Sequence, residues 1–471
     1  MVTRANRSDD VPTRPKDVVI LGAGFSHALY DPCPLTDKLG EMVRSRLSAE
    51  DRAKMPPSEF EDGRFEEWLS YLSERQPHLE PEGIAEAALL AMRVTRVICE
   101  VLSELQSKAL SVEADGWFYE FLSVLHVLRA QVITLNYDNF VECGVHTLEL
   151  QSADWLGPTT VCEDDILAGL PPCADFPGRN LQSTAQPTYD GDPVAVGERR
   201  SNTFKLWKLH GSLSWYWLPD GGGNSTLQRW RLPGVFGERW DPAEDHRRQE
   251  LPSHEVFIVP PAALKGQRLR EPVARELWRR SAEALRAAER LVLIGYSVPY
   301  ADHSVMGMLT EGLQGRDVRV DVVNPCPNKV MARLVRLGVP AAAISSFNGK
   351  DCIARWSAAE VKRLARQAVE ALKRDARLTG EVLMFSAGPR MERFSRLDRP
   401  ADPSSPLTLH VVPKGQQCAK PLMHDDLREA FGAATECVIE TDGRTLPVID
   451  HWVREGNSGV PMTQLHLVTS R

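Results

Sequence analysis

Asp17-Val18-Val19-Ile20-Leu21-Gly22-Ala23-Gly24-Phe25-Ser26 is the most informative stretch of the chain. An apolar run of strand length, two glycines in Gly-x-Gly spacing and a helix-forming stretch read as a buried strand that turns sharply into a helix. Backbone N–H groups on such a turn can approach a pyrophosphate, because glycine puts no side chain in the way. The motif departs from the dinucleotide fingerprint of hydride-transfer domains. His27 stands where that fingerprint has its third small residue, and residues 37–47 read as a helix, with no second strand to end in an acidic residue about 20 positions on. An ordinary hydride-transfer domain is therefore argued against.

Apolar runs of strand length recur at residues 132–135, 256–259, 291–294 and 318–323, and more weakly at 342–345. Near-continuous runs of this kind suit a parallel sheet covered by helices on both faces. Between the first two runs, about 37–130, the patterns are helical, as in Phe65-Glu-Glu-Trp68-Leu-Ser-Tyr71-Leu72 and residues 84–110, and read as a helical insertion. Residues 151–203 and 219–253 are rich in turn formers and charge and read as long loops. The expected fold class is α/β: a Rossmann-type parallel sheet with a helical insertion over residues 17–356, plus a small C-terminal α+β module. Residues 1–16 form a polar, disordered arm, 357–405 a helix and charged linker, and 406–471 the module. The helix, 357–378, is basic and carries Val361, Leu364, Val369 and Leu372 as an apolar stripe, which suits packing on the domain.

A chain of 471 residues can bury a large sheet and more than one unit. A net charge of −8 argues against a surface that coats nucleic acid. The nine cysteines are scattered with no Cys-x-x-Cys pair, which argues against a disulfide framework and a zinc ribbon and gives no expected metal. Residues 1–16 lack an apolar signal core, and no stretch of about 18 apolar residues occurs, so a cytoplasmic protein is expected.

Three further segments carry chemistry beside the glycine turn: Thr134-Leu135-Asn136-Tyr137-Asp138, Leu209-His210-Gly211-Ser212 and Gly295-Tyr296-Ser297. Together they describe a nucleotide site with a general base. An amide side chain orients a water or a hydroxyl, and histidine titrates in the range a base needs. Each residue also has a purely structural use. Asn136, Ser26 and Ser297 can cap helices, and His210 can be a core histidine. Trp207, Trp215, Tyr216 and Trp217 crowd the histidine segment and suit packing better than ligand stacking.

With 294–299 followed by Asp302, and with Val323-Asn324-Pro325, these segments make five motifs whose order resembles the sirtuin fold. The resemblance is specifically to the sirtuin-like NAD hydrolase domains of bacterial antiphage defence proteins, and spans about residues 16–357. It implies that Gly22, Ala23, Gly24 and Ser26 hold the pyrophosphate of NAD, and that Gly295, Ser297 and Asn324 hold the adenosine half. It implies that Asn136 and Asp138 surround the nicotinamide ribose and amide, and that Asn136 and His210 are catalytic. Two departures argue against protein deacylation. Cys33-Pro34 stands where deacylating members have Phe-Arg, and Cys162 and Cys173 cannot supply a four-cysteine zinc ribbon.

The resulting expectation is an NAD glycohydrolase that releases nicotinamide and ADP-ribose, with NAD as substrate and no metal. The resemblance further implies an NAD-depleting effector of abortive infection, working as a homo-oligomer with an operon-encoded sensor or activator, without membrane or direct nucleic-acid contact. Two alternatives stay open: a sensing module that binds NAD or ADP-ribose without turnover, and a sirtuin-type deacylase or ADP-ribosyltransferase.

Overall fold

β1 (Asp17–Leu21) is a strand because both faces of its Val-Val-Ile-Leu run find apolar partners. Val19 and Leu21 enter one core, and Val18 and Ile20 the other, as period-two alternation requires. The computed structural model describes residues 16–56, 64–74, 76–147, 204–219, 225–229, 236–237, 255–260, 272–300, 302–374, 383–386, 391–399, 406–411, 430–431, 434–441, 444–454 and 464–469.

From β1 the chain enters α1 (Ala23–Leu29), α2 (Thr36–Arg46), α3 (Ala49–Ala53), α4 (Arg64–Ser73), α5 (Pro81–Leu110) and α6 (Gly116–Leu128). It rejoins the sheet as β2 (Gln131–Thr134), next to β1. The helical insertion thus lies between two adjacent parallel strands. Its Phe65, Leu69, Val94, Ile98, Phe118 and Phe121 pack with Val19, Leu21 and Phe25. α7 (Phe140–Thr147) leads on, and β3 (Lys205–Lys208) pairs with the far side of β2. β4 (Gly211–Pro219), β5 (Ser225–Arg229) and β6 (Glu255–Ile258) form a separate antiparallel sheet in the order β5-β4-β6.

The main sheet resumes with α8 (Pro272–Ala287), β7 (Arg290–Ile294), α9 (His303–Leu313), β8 (Arg319–Val323), α10 (Asn328–Arg336), β9 (Ile344–Phe347) and α11 (Cys352–Arg374). Its order is β3-β2-β1-β7-β8-β9, all pairs parallel. Residues of α8, α9 and α10, among them Leu277, Leu285, Leu309 and Leu334, cover the face opposite the insertion. The expected Rossmann-like α/β class is the one observed.

Two strand assignments change. The run 256–259, expected in the parallel sheet, forms β6 of the antiparallel one. Its place is taken by β3, whose Lys-Leu-Trp-Lys sequence has charged ends and so escapes a search for apolar runs. β5 lies inside 219–253, expected to be a loop, because its polar Ser-Thr-Leu-Gln-Arg run gains strand form only by pairing with β4. The expected loop 151–203 and residues 1–15 of the arm lie outside the described residues.

The C-terminal module is a closed barrel of six strands: β10 (Leu383–Ser386), β11 (Met391–Asp398), β12 (Leu407–Val411), β13 (Cys437–Thr441), β14 (Arg444–Arg454) and β15 (Gln464–Thr469). It is parallel at the β12/β13 and β10/β15 seams and antiparallel elsewhere. β11 therefore occupies part of the expected linker, and the barrel starts before residue 406. Its charged sequence hides a strand whose form depends on distant partners such as Phe394 with Val411.

α11 joins the two units and uses its stripe for both. Val361 and Leu364 belong to the main core, whereas Val369 and Leu372 pack with Leu407, Leu409, Phe431, Ile439 and Val448 of the barrel module. The helix is also held under the sheet by charge. Buried Arg290 at the start of β7 donates to both Glu360 oxygens at 2.7 and 2.8 Å and to Asp321, and its guanidinium lies 5.8 Å from the Trp356 ring centre.

Candidate functional site

From β1 the chain moves to β2 and β3 on one side, then crosses back to β7 on the other. The order reverses between β1 and β7, the place where open α/β sheets form a ligand crevice beyond their strand ends. The chemistry-bearing segments all lie at that edge. The ladder runs on past the strands: Gly22 N–H donates to Ile294 O, Leu135 to Leu21 O, Leu209 to Thr134 O, Gly295 to Val323 O and Asn324 to Phe347 O, at 3.0 Å each. Each motif is thus held in the frame of the sheet at its first or second residue.

The glycines serve close approach. A Cβ on Gly22 would lie 2.7 Å from Gly295 O, one on Gly24 2.8 Å from Gly295 Cα, and one on Gly295, at φ +59°, 2.3 Å from Phe25 N. The β1 and β7 turns therefore touch backbone to backbone. The amides of Gly22 and Gly24 are spent on Ile294 O and Gly295 O, so these glycines shape the crevice wall and do not aim their N–H groups at a ligand.

On that wall, Asn136, Ser26 and Asp138 form one hydrogen-bonded chain. Asn136 Nδ2 donates to Gly22 O at 3.0 Å and to Ser26 Oγ at 2.9 Å, and Ser26 Oγ donates to Asp138 Oδ2 at 2.6 Å. With both amide hydrogens committed, Asn136 can offer a ligand only its carbonyl oxygen, an acceptor. Its backbone N–H is fixed by Thr134 Oγ1 at 3.1 Å, so it is not a helix cap but a positioned side chain. Burial pushes the Asp138 carboxyl above the usual carboxylate range, and the Lys208 ammonium and the Ser26 hydroxyl draw it back. Burial, with Asp138 nearby, also pushes the Cys33 thiol up, which keeps it out of thiolate chemistry.

Beneath this loop lies a buried ionic floor that the sequence reading missed. Lys208, the last residue of β3, places Nζ 2.8 Å from Glu142 Oε1 and donates also to the Asp138 carbonyl, with 0% of its side chain exposed. Asn139 Nδ2 donates to Glu142 Oε1 at 3.1 Å, Ser212 Oγ at 3.0 Å and Ser214 Oγ at 3.1 Å, while Gln106 Oε1 accepts from the Asn139 amide at 2.7 Å. A lysine directly after Leu206 and Trp207 was the available signal, since such a charge must find a partner when buried.

His210 follows β3, is buried, and lies beside the Asn136–Asp138 loop, with its ring centre 6.3 Å from that of Tyr137. Its carbonyl accepts from Val259 N–H at 2.8 Å, and its Nε2 lies 4.0 Å from Asp302 Oδ2. Gly211 after it takes φ +80°, and a Cβ there would meet Phe257 O at 2.2 Å, so the glycine lets β4 leave the main sheet. Trp207, Trp215 and Tyr216 are buried in packing, with Trp215 stacked on Phe257 at 6.3 Å. The Trp217 side chain lies outside the described residues.

Ser297 and Asn324 sit on the β7–β8 side, away from the Asn136 chain. Ser297 is exposed, and its carbonyl accepts from Arg333 at 2.6 Å; the same guanidinium holds Val298 O at 3.0 Å. Val298 has φ +53°, a strained setting for a β-branched residue that these bonds help to hold. Asn324 Oδ1 accepts from Cys326 N–H at 2.9 Å, shaping its own turn. Among the described residues, no group of three or more His, Cys, Asp or Glu side chains is placed to hold a metal ion, and no helix is long and apolar enough to cross a membrane.

Fold and site thus define a Rossmann-like α/β protein whose chemistry-bearing segments gather at its switch point. No family model matches the chain, and no curated protein matches it. Among solved structures it is similar to one described as giving the structural basis for the mechanism and regulation of Sir2 enzymes, at 15% identity and a TM-score of 0.31, over 74% of this chain and 94% of that one.

Proposed function

We propose that the chain is an NAD glycohydrolase, with NAD as substrate, and acts as an NAD-depleting effector of bacterial antiphage defence. The observation that carries the reading is the Asn136–Ser26–Asp138 hydrogen-bonded chain at the switch point, with buried His210 beside it. Ser26, with Gly22, Ala23 and Gly24, lines the pyrophosphate subsite, and Gly295, Ser297 and Asn324 line the adenosine subsite. In the reaction the nicotinamide C–N bond breaks and its electron pair leaves with nicotinamide. Water then bonds to the ribose C1′ of an oxocarbenium-like centre and gives up its proton to His210. The Asn136 carbonyl oxygen accepts a hydrogen bond from that water or from a ribose hydroxyl. Loss of NAD harms the cell, so the activity needs control. The barrel on α11, a homo-oligomer and an operon-encoded activator are the proposed means.

The test incubates the purified chain with NAD and separates the products. Nicotinamide and ADP-ribose are expected, with cleavage falling by about 10²-fold or more in Asn136→Ala and in His210→Ala. NAD affinity, measured by calorimetry, should fall much less. A wild type that binds NAD and never cleaves it, with its genomic neighbour or an infection trigger present, would establish a sensor instead.

A further inference from the structure

Asp302 lies where the chain enters α9, yet its carboxylate does not cap that helix; only its backbone carbonyl serves the first turn, accepting from Met306 N–H at 2.9 Å. The side chain instead turns inward, 4% exposed, with Oδ2 4.0 Å from His210 Nε2 and 3.4 Å from the Tyr296 hydroxyl that donates to it. Burying a carboxylate is costly unless donors or a cation face it, and capping would have kept it near water. The structure brings it from the β7 side of the sheet to the end of β3, across β1 and β2.

We propose that Asp302 is the positioning residue of His210: its carboxylate, facing Nε2, orients the imidazole and stabilises the imidazolium formed during the reaction. The role rests on the reading of His210 as the base. A carboxylate at one ring nitrogen sets both the tautomer and the ring orientation. At 4.0 Å the separation is beyond a hydrogen bond and within ion-pair range of the imidazolium that forms, and such contacts tighten in the loaded site. Burial with Asp302 and Glu66 nearby pushes the Tyr296 phenol well up, so it stays a donor to Asp302. Tyr137, whose hydroxyl donates to Val259 O at 2.8 Å, and Trp278 of α8, with its ring centre 6.4 Å from that of His210, lie beside the imidazole, and Glu66 of α4 and Arg333 of α10 act on Tyr296.

The direction follows from charge. Removing a carboxylate beside His210 favours the neutral ring, so its protonation midpoint falls, by about one pH unit for an opposite charge lost at this range. Asp302→Asn and Asp302→Glu are compared with wild type by NMR titration of the histidines, His210 being assigned through His210→Gln. The acid limb of the NAD-cleavage profile is followed in parallel. Expected for Asp302→Asn are a lower His210 midpoint, the same shift in the acid limb, a kcat at least about 10-fold lower and a KM within about twofold of wild type. Asp302→Glu, which keeps the charge, should keep a midpoint near wild type. Should Asp302→Asn not fold, Asp302→Ser carries the same readouts. An unmoved His210 midpoint overturns the pairing, whatever the activity does. A midpoint that falls in a protein unable to cleave NAD upholds the pairing and removes only the reading of His210 as a base for this reaction.

Discussion

Replacing Lys208 by methionine removes the cation that the described residues place in the buried floor and keeps most of its volume. The Lys208 side chain is 0% exposed and that of Glu142 5%, with 2.8 Å between Nζ and Oε1, so the variant leaves a buried carboxylate whose remaining contact here is Asn139 Nδ2 at 3.1 Å. Breaking a buried pair from one side costs about 3–5 kcal/mol, and the Asp138 carbonyl, which also accepts from Nζ, adds about 1 kcal/mol for a lost partner. A loss of about 4–6 kcal/mol is a large share of the roughly 5–15 kcal/mol that keeps a domain folded. The assay is urea unfolding followed by tryptophan fluorescence, on wild type, Lys208→Met, Glu142→Gln and the double variant. Glu142→Gln in the Lys208→Met background should restore most of the loss, because the stranded charge, not the missing contact, sets the cost. NAD affinity of Lys208→Met should fall with stability, since Lys208 holds the loop that carries Asn136 and Asp138. A single variant within about 1 kcal/mol of wild type, or a double variant no better than the single one, would refute the reasoning.

Gly295→Ala puts a Cβ 2.3 Å from Phe25 N at φ +59°, so it should destabilise by about 3 kcal/mol or more and abolish NAD binding; thermal unfolding and calorimetry check both. His126 is buried and held neutral, with its pKa pushed down to about 4 by burial and by Arg129. Its folded pKa lies below the unfolded value of about 6.5, so stability is complete above pH 6.5 and is lost as pH falls from there toward 4, by about 2 kcal/mol at pH 5. Urea unfolding at pH 7.5 and 5 should show this loss in wild type but not in His126→Phe; equal losses in both would place the acid sensitivity elsewhere. Arg290→Met strands the buried Asp321 carboxylate, leaves Glu360 to Arg363 alone and loosens α11, so limited proteolysis should separate the barrel from the main domain far faster than in wild type.

Several features were legible in the sequence because they depend on local chemistry alone. The run at β1 and the glycines after it announce a buried strand and a turn with no room for side chains, and both follow from residue type and spacing. The helical insertion was equally plain, since a helix displays its buried stripe every three to four residues. Asn136 could be singled out by residue type, and Ser26 and Asp138 by the resemblance of their motifs, but not their chain of hydrogen bonds, which joins residues 110 and 112 positions apart. The tertiary structure alone decided which strand is β3. A lysine-bounded segment becomes a central element of the site only when Glu142 and the Asp138 carbonyl arrive to take its charge. The same holds for β5 and β11, whose polar runs are strands through cross-strand pairing, and for the barrel that pairing closes. Asp302 is the sharpest case: its sequence position suits a helix cap, and only the packing of β7 and β3 into one sheet turns its carboxylate toward His210. Local pattern specifies elements whose stabilising partners are near in sequence, while charge placement, register and the convergence of distant side chains wait for the chain to close on itself.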